Sequence, residues 1–178
     1  MPVRVPAAWA LLLAVSMSPA AAQQPALDND RAAIDTCLRD TQGAPDHCIG
    51  IVYMPCTEDR EGSTTRGMQQ CASREMAVWQ EKIDDSMKKL SSGPFGATEA
   101  QPWNRPPENK RERMVPGTDI LNDMAKTWTV WRAKKCDALA MQAEGGSLSR
   151  VIYGACLYDE TARHALWLRT VVDDTAPK

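Results

Sequence analysis

The hydrophobic positions of this chain repeat at helical spacing over most of its length, and no stretch alternates for long as a strand would. The clearest repeat lies between about Arg66 and Leu90, where apolar residues recur every three or four positions, as in a helix that faces a core. These positions are Met68, Ala72, Met76, Trp79, Ile83, Met87 and Leu90. Residues 63–65, Ser-Thr-Thr, form an N-cap cluster for this helix, and residues 91–94, Ser-Ser-Gly-Pro, end it.

Two more long helices are predicted in the last third of the chain. The first begins with Thr118 or Asp119 as its cap and reaches about Ala143. Its apolar stripe consists of Leu121, Met124, Trp128, Trp131 and Leu139. Gly145-Gly146 ends this helix, and Ser147 caps the next one. The apolar positions of that next helix are Leu148, Val151 or Ile152, Ala155, Leu157, Ala162, Leu166 and Val171. Because the turn is short, the two helices must pack as antiparallel neighbours.

Two short helices are predicted ahead of the long ones. The first is capped by Asp28 or Asp30 and covers residues 32–39, and the second runs from Asp46 to about Cys56 although it contains Gly50. The predicted fold class is therefore all-α. We expect a small disulfide-stapled helical bundle with two short N-terminal helices, one long helix and a C-terminal antiparallel helical hairpin.

The first 22 residues have the pattern of a secretory signal peptide. Arg4 supplies the positive charge, residues 9–15 are apolar, and Ala20-Ala21-Ala22 fits the cleavage rule. A buried N-terminal helix is the alternative, but it should show polar positions at the helical period, and this apolar run has none. The run is also shorter than the ~18–20 residues that are needed to span a bilayer. We expect cleavage after about Ala22 and a periplasmic or secreted protein, with a single domain over 23–172 and a disordered tail over 173–178.

Six cysteines remain after cleavage, and an even number in an exported chain indicates disulfide bonds. Cys136 and Cys156 lie about ten residues before and after the Gly-Gly turn, which at 1.5 Å per residue is the same height on the hairpin. The spacing therefore predicts a Cys136–Cys156 disulfide.

The other four cysteines leave two arrangements open. Local pairing gives Cys37–Cys48 and Cys56–Cys71, which tie the second helix to its neighbours. The alternative joins Cys37 to Cys71 and Cys48 to Cys56. It is less favourable, because an i, i+8 pair on one straight helix spans about 12 Å, too far for a disulfide.

Composition and motifs indicate a protein without catalytic or metal chemistry. The formal net charge of -2 becomes -3 when Arg4 leaves with the signal peptide, whereas a nucleic-acid-binding protein would carry a basic face. The chain has no Cys-x-x-Cys, and its two histidines, His47 and His164, are far apart in sequence. It also lacks Gly-x-Ser-x-Gly, a phosphate-binding glycine loop and His-Glu-x-x-His. We expect a non-enzyme with no cofactor, no metal and no nucleic-acid partner.

Prolines and glycines are concentrated in residues 92–117, between the two long helical regions. A structureless loop of this length is uncommon in a compact domain, so it is either a solvated insertion or a contact segment. The second interpretation depends on Trp103, with Arg105 beside it, because an exposed tryptophan among prolines is a typical contact anchor. The remaining tryptophans of the mature chain are predicted to lie in the core; they are Trp79, Trp128, Trp131 and Trp167.

The order of residues in the last third resembles the LprI-type lysozyme-inhibitor family, which consists of small exported bacterial helical domains. The residues that carry this resemblance are Trp128, Trp131, Arg132, Cys136, Gly146, Ser147, Cys156, Leu157, Thr161, Ala162 and Arg163. The resemblance extends over roughly residues 56–168, and its first half rests on Cys56, Ser63, Thr64, Met68, Cys71, Glu75 and Trp79. The chain departs from the family pattern at Ala125 and Ala133, where a glutamine and an aspartate are common. It departs again at Ile83, Asp84 and Met87, where the family often has Leu-Asn followed by an aromatic residue.

Arg132 follows the second tryptophan, and Arg163 lies one turn from Asp159 and Glu160. Spacing alone predicts i, i+3 and i, i+4 surface pairs for such arginines, whereas the resemblance implies an arginine buried under the hairpin. It also implies an exported protein that binds and inhibits a lysozyme or a related muramidase. Common lysozymes are strongly basic with a carboxylate-lined cleft, so such an inhibitor needs an acidic rim and a protruding loop. The other function is that of a periplasmic structural or envelope-interaction domain with no lysozyme role, in which the 92–117 loop is a spacer.

Overall fold

The computed structural model describes residues 20–41, 43–100 and 114–176, with side chains from residue 26 onward. The long helices are α1 (Ala20–Asp40), α3 (Thr65–Ser92), α5 (Gly117–Ala140) and α6 (Ser147–Thr175). The short elements are a 3-10 helix (Pro45–Cys48), α2 (Tyr53–Glu58), α4 (Pro94–Ala97), a 3-10 turn (Met141–Ala143) and the antiparallel pair β1 (Glu99–Ala100) and β2 (Val115–Pro116). The all-α prediction is confirmed. Within the described ranges, no helix is both long enough and apolar enough to cross a membrane.

Helices α3 and α6 form the centre of the bundle. Trp79 and Val78 of α3 are fully buried. Helix α6 contributes the small side chains Ala162 and Ala165, together with Leu168, to the same core. Small residues let the two helices approach closely, so that the large indole of Trp79 is accommodated within the core. Helix α1 packs against α3, and α5 packs against the other side of α6. The predicted hairpin of α5 and α6 is therefore one layer of the bundle.

The starts of α3 and α5 are built differently. Thr64 caps α3 as predicted, because its hydroxyl oxygen accepts a hydrogen bond of 2.9 Å from the backbone N–H of Gly67. The predicted cap of α5 at Thr118 or Asp119 is wrong: this helix begins after Pro116 and has no side-chain cap. The N–H of Gly117 instead donates to the carbonyl of Thr98 at 2.8 Å. The first N–H group of α5 therefore finds its acceptor in a backbone carbonyl, whereas a cap would have provided a side-chain oxygen.

The predicted helix over residues 46–56 is wrong, because Gly50 interrupts it with φ of +93°. The buried carboxylate of Glu75 organises this break. It accepts hydrogen bonds from the backbone N–H groups of Gly50 (2.6 Å), Val52 (3.1 Å) and Tyr53 (2.7 Å), and from Nε1 of Trp79 (3.0 Å). A negative charge at the start of α2 is favourable because the free N–H groups of a helix point towards it. Glu75 therefore fixes the N-terminal segment onto α3.

Three disulfides staple the bundle: Cys37–Cys48, Cys56–Cys71 and Cys136–Cys156. These are the local pairs and the hairpin pair that the spacing predicted. The Cα atoms of each pair are 5.5–5.7 Å apart, within the usual range for a disulfide. The first two bonds fasten the 3-10 helix and α2 to the long helices, and the third crosses from α5 to α6.

Several element limits differ from the predictions. Helix α1 is longer than the predicted 32–39, and α6 continues to Thr175, so the expected disordered tail is wrong for residues 173–175. The predicted signal peptide lies outside the described residues up to position 19. The two ends of the 92–117 loop are ordered as α4 and as the β1–β2 pair. The middle of that loop, with Trp103 and Arg105, lies outside the described residues.

Candidate functional site

The hairpin carries a continuous patch of aromatic and charged side chains on the side that no other described helix covers. We call this patch the outer hairpin face. It consists of Trp128, Trp131 and Lys135 on α5, and Glu160, His164 and Trp167 on α6. The contacts described below join these six residues into one surface.

A stack of three aromatic rings forms the middle of this face. The ring of His164 lies on that of Trp128, with centroids 4.0 Å apart and an interplanar angle of 11°, and the ring of Trp167 follows at 5.5 Å. Burial between the indoles, with the guanidinium of Arg132 nearby, lowers the pKa of His164 to about 4. His164 is therefore neutral at physiological pH and serves as a packing group that links the two helices.

Arg132 lies beneath this stack and joins α5 to α6. Its guanidinium is 4.5 Å from the ring centroid of Trp128, and its Nη1 donates a hydrogen bond of 2.6 Å to the hydroxyl of the buried Thr161. Burial lowers the pKa of Arg132 from its ordinary value. The resemblance implied an arginine buried under the hairpin; Arg132 lies there partly buried and supports the aromatic rings, whereas Arg163 is exposed.

Lys135 is held at one end of the face by two contacts. Its ammonium donates to the carboxylate of Glu160 at 2.5 Å and lies 5.1 Å from the ring centroid of Trp131. The side chain of Lys135 is 40% exposed, whereas that of Glu160 is only 12% exposed. The carboxylate is therefore covered, and the ammonium is the charge presented to solvent.

Two tryptophans project from the face. Trp131 and Trp167 are each 49% exposed, which corrects the prediction that both lie in the core. Trp128 and His164 lie side by side. Trp131 follows Trp128 by three residues on α5, and Trp167 follows His164 by three residues on α6, which runs in the opposite direction. The two exposed indoles are therefore separated by about 9 Å along the hairpin axis.

A groove continues from Trp131 along α5 towards the base of the 92–117 loop. Its lining includes Val115, Ile120 and the carboxylates of Asp119 and Asp123. Lys126 also lines this groove. The pairing of Ala100 with Val115 brings the two ends of residues 101–113 together at the far end of this groove. The outer hairpin face and the loop base thus form one connected surface.

The remaining predicted positions have structural roles. Gly146 precedes α6 in the hairpin turn, where Gly145 has φ of +79°. Arg163 pairs with Asp159 at 2.9 Å on the surface, as its spacing predicted. Among the described residues, no group of three or more His, Cys, Asp or Glu side chains is placed to hold a metal ion.

Sequence reasoning missed Lys135, Glu160 and His164 as members of the face. The signal was the Cys136–Cys156 disulfide, which fixes the register of the hairpin. Trp128 lies eight residues before Cys136 and His164 eight residues after Cys156, so the disulfide places them opposite each other.

A family model described as lysozyme inhibitor LprI matches residues 56–168 of the chain. No curated protein and no solved structure matches the chain. The family match begins at Cys56 and includes α3, α5 and most of α6, and therefore the whole outer hairpin face.

Proposed function

Because this chain belongs to the LprI lysozyme-inhibitor family, we propose that it is an exported binding protein that inhibits a lysozyme or related muramidase through surface contact. The family is named for inhibition rather than for catalysis, which agrees with the expected absence of an enzymatic activity. The three disulfides support export, because such bonds form and persist in oxidising compartments.

The observation that carries this proposal is the pair of half-exposed indoles at Trp131 and Trp167. Tryptophan is the residue most enriched at the energetic centres of protein interfaces, because it buries a large area with few rotatable bonds. Here both rings are also held from behind, one by Lys135 and the other by His164. The indoles are therefore ordered before any partner binds, which lowers the entropic cost of association.

The loop over residues 101–113 belongs to the same proposed contact surface. Its ends are joined by the β1–β2 pair beside the groove that leads to Trp131. Trp103 and Arg105 are proposed to contact the enzyme from this loop. Weaker inhibition by the Trp103→Ala variant would show a contribution of the loop that is separate from that of the outer hairpin face.

The test is a turbidity assay in which lysozyme clears a cell-wall suspension in the presence of the purified, oxidised mature protein. We expect dose-dependent inhibition at micromolar concentration or better. Trp131→Ala and Trp167→Ala should each weaken it about tenfold or more, as truncation of an interface centre does. Leu148→Ala is the matched control, because Leu148 is 60% exposed at the hairpin turn, outside the outer hairpin face.

Two results would contradict the proposal in different ways. Absence of inhibition by a folded, fully disulfide-bonded protein against several lysozyme types would favour the envelope-interaction function. If both tryptophan variants inhibit as strongly as the wild type, the protein is an inhibitor but does not contact the enzyme through the outer hairpin face.

A further inference from the structure

We infer that α5 is also the surface through which two copies of this chain associate, as an antiparallel pair of helices. The contact is a row of four exposed residues along α5, Asp123, Thr127, Val130 and Lys134, which we call the α5 seam. This association is distinct from the proposed function, because the partner is a second copy of the protein and no enzyme takes part.

The α5 seam lies on the side of α5 that faces away from the bundle. Helix α5 packs chiefly against α6, and its buried residues Leu121 and Cys136 mark the side that is turned towards the bundle. At 3.6 residues per turn, the seam lies about 180° around the helix from these two residues. Val130 is 56% exposed and Trp131 beside it is 49% exposed. This side therefore presents an apolar centre that no other helix of the described residues covers.

The spacing of the α5 seam is typical of a helix that pairs with another helix. Its residues follow one another at intervals of four, three and four positions, as do the a and d positions of a coiled coil. Thr127 and Val130 form its centre, Asp123 lies at one end and Lys134 at the other. Within the described part of the chain, neither of these two charged side chains has an ion-pair partner. Both charges are therefore available to a second copy.

The two charges select the antiparallel orientation. When the helices cross between positions 128 and 129, Asp123 of each copy lies opposite Lys134 of the other, and Thr127 lies opposite Val130. A parallel pair would place Asp123 against Asp123 and Lys134 against Lys134, and such like-charge contacts are unfavourable. Because a polar residue at a seam position also fixes the register of two helices, one arrangement is favoured over the others.

In this register, the groove along α5 of one copy receives the exposed indole of the other. Trp131 comes three residues before Lys134, so in the second copy it lies beside Met124 and Thr127 of the first, which line the groove. Helix α5 has 24 residues and is about 36 Å long. A contact between two such helices is at the lower end of specific interfaces, and we expect a Kd of about 10–100 μM. The dimer covers Trp131, so this contact and the proposed enzyme contact exclude each other.

The test is sedimentation equilibrium of the oxidised mature protein from about 1 to 500 μM, without any enzyme. We expect a reversible monomer–dimer equilibrium that weakens at high salt, because the paired charges lie at the exposed ends of the seam. Asp123→Lys and Lys134→Asp should each weaken the dimer about tenfold or more, because each variant places like charges opposite each other at both ends. An equimolar mixture of the two variants should dimerise again, because the charges that meet are then opposite in sign.

The matched controls are Lys88→Asp on α3 and Asp174→Lys on α6, which make the same charge changes at exposed positions outside α5. Each should change the Kd less than twofold, and the circular dichroism spectrum verifies that every variant is folded. A wild-type protein that stays monomeric over the whole range would overturn the inference. So would a dimer that both seam variants leave unchanged, or a mixture of them that stays monomeric. Inhibition of lysozyme is measured separately, so none of these results decides the proposed function.

Discussion

Replacing Glu75 with glutamine should destabilise the protein severely although the two side chains have the same shape. In the wild type, Oε1 accepts from the N–H of Gly50 and from Nε1 of Trp79, and Oε2 accepts from the N–H groups of Val52 and Tyr53. Glutamine keeps one oxygen and places an NH₂ group against the other two donors. Two buried N–H groups then lose their acceptor.

The magnitude follows from these contacts. Hydrogen bonds to a charged acceptor contribute about 1.5–3 kcal/mol each, and each buried group left unsatisfied costs about 1–3 kcal/mol. The lower desolvation cost of a neutral amide offsets part of this loss. We therefore expect the unfolding free energy of Glu75→Gln to fall by about 3–5 kcal/mol, a large share of the ~5–15 kcal/mol of a typical domain.

Urea unfolding followed by circular dichroism measures this loss, and thermal unfolding should show a midpoint lower by roughly 10 °C. Hydrogen exchange should also accelerate at the amides of Gly50, Val52 and Tyr53. Glu58→Gln, an exposed change in α2, is the matched control and should stay within about 0.5 kcal/mol of the wild type. An effect of Glu75→Gln below 1 kcal/mol, or unchanged exchange at these amides, would refute the role assigned to the carboxylate.

Two further predictions concern the hairpin. His164 takes up a proton with a pKa near 6.5 when unfolded but only near pH 4 when folded. Protonation therefore favours the unfolded chain as the pH falls, and the unfolding free energy should drop by about 1–2 kcal/mol between pH 7 and pH 5, allowing for the partial exposure of the ring. His164→Phe should remove this component of the pH dependence, whereas His47→Gln should keep it, and an unchanged slope in His164→Phe would contradict the assignment. Replacing Cys136 and Cys156 together by alanine should lower the urea-unfolding free energy by about 3 kcal/mol, and an unchanged urea midpoint would contradict a structural role for this disulfide.

The parts of the fold that the sequence predicted are those set by local signals. Helix α3 has both an apolar stripe and a threonine cap, and the hairpin follows from two periodic segments around Gly145-Gly146. The break at Gly50 could not be predicted in this way, because the carboxylate that organises it lies 25 residues further along the chain. A distant partner overrode the local helical pattern.

The exposure of Trp131 and Trp167 could not be predicted from the sequence either, because exposure also depends on distant parts of the chain. The apolar residues of a helix show which side of it is hydrophobic, but not whether another element covers that side. Here α3 packs against one side of α6, and α5 packs against another. The side shared by Trp131 and Trp167 has no covering helix among the described residues.

Many of the residues that identify the family hold the scaffold together. Glu75, Trp79 and Thr161 are fully buried, and the paired cysteines fasten the helices. Trp131 differs from them because it also carries the family resemblance but is half-exposed to solvent. Recognition of the family from sequence therefore reports chiefly on the architecture.

The closure of the segment between Ala100 and Met114 makes this architecture a natural acceptor for foreign sequences. The two ends meet at the β1–β2 pair, and the N–H of Gly117 donates to the carbonyl of Thr98, so both ends are held by contacts among the described residues. Doubling the length of such a segment costs only about 0.6 kcal/mol of closure entropy. A longer or shorter segment between these anchors should therefore cost the bundle little of its free energy of unfolding.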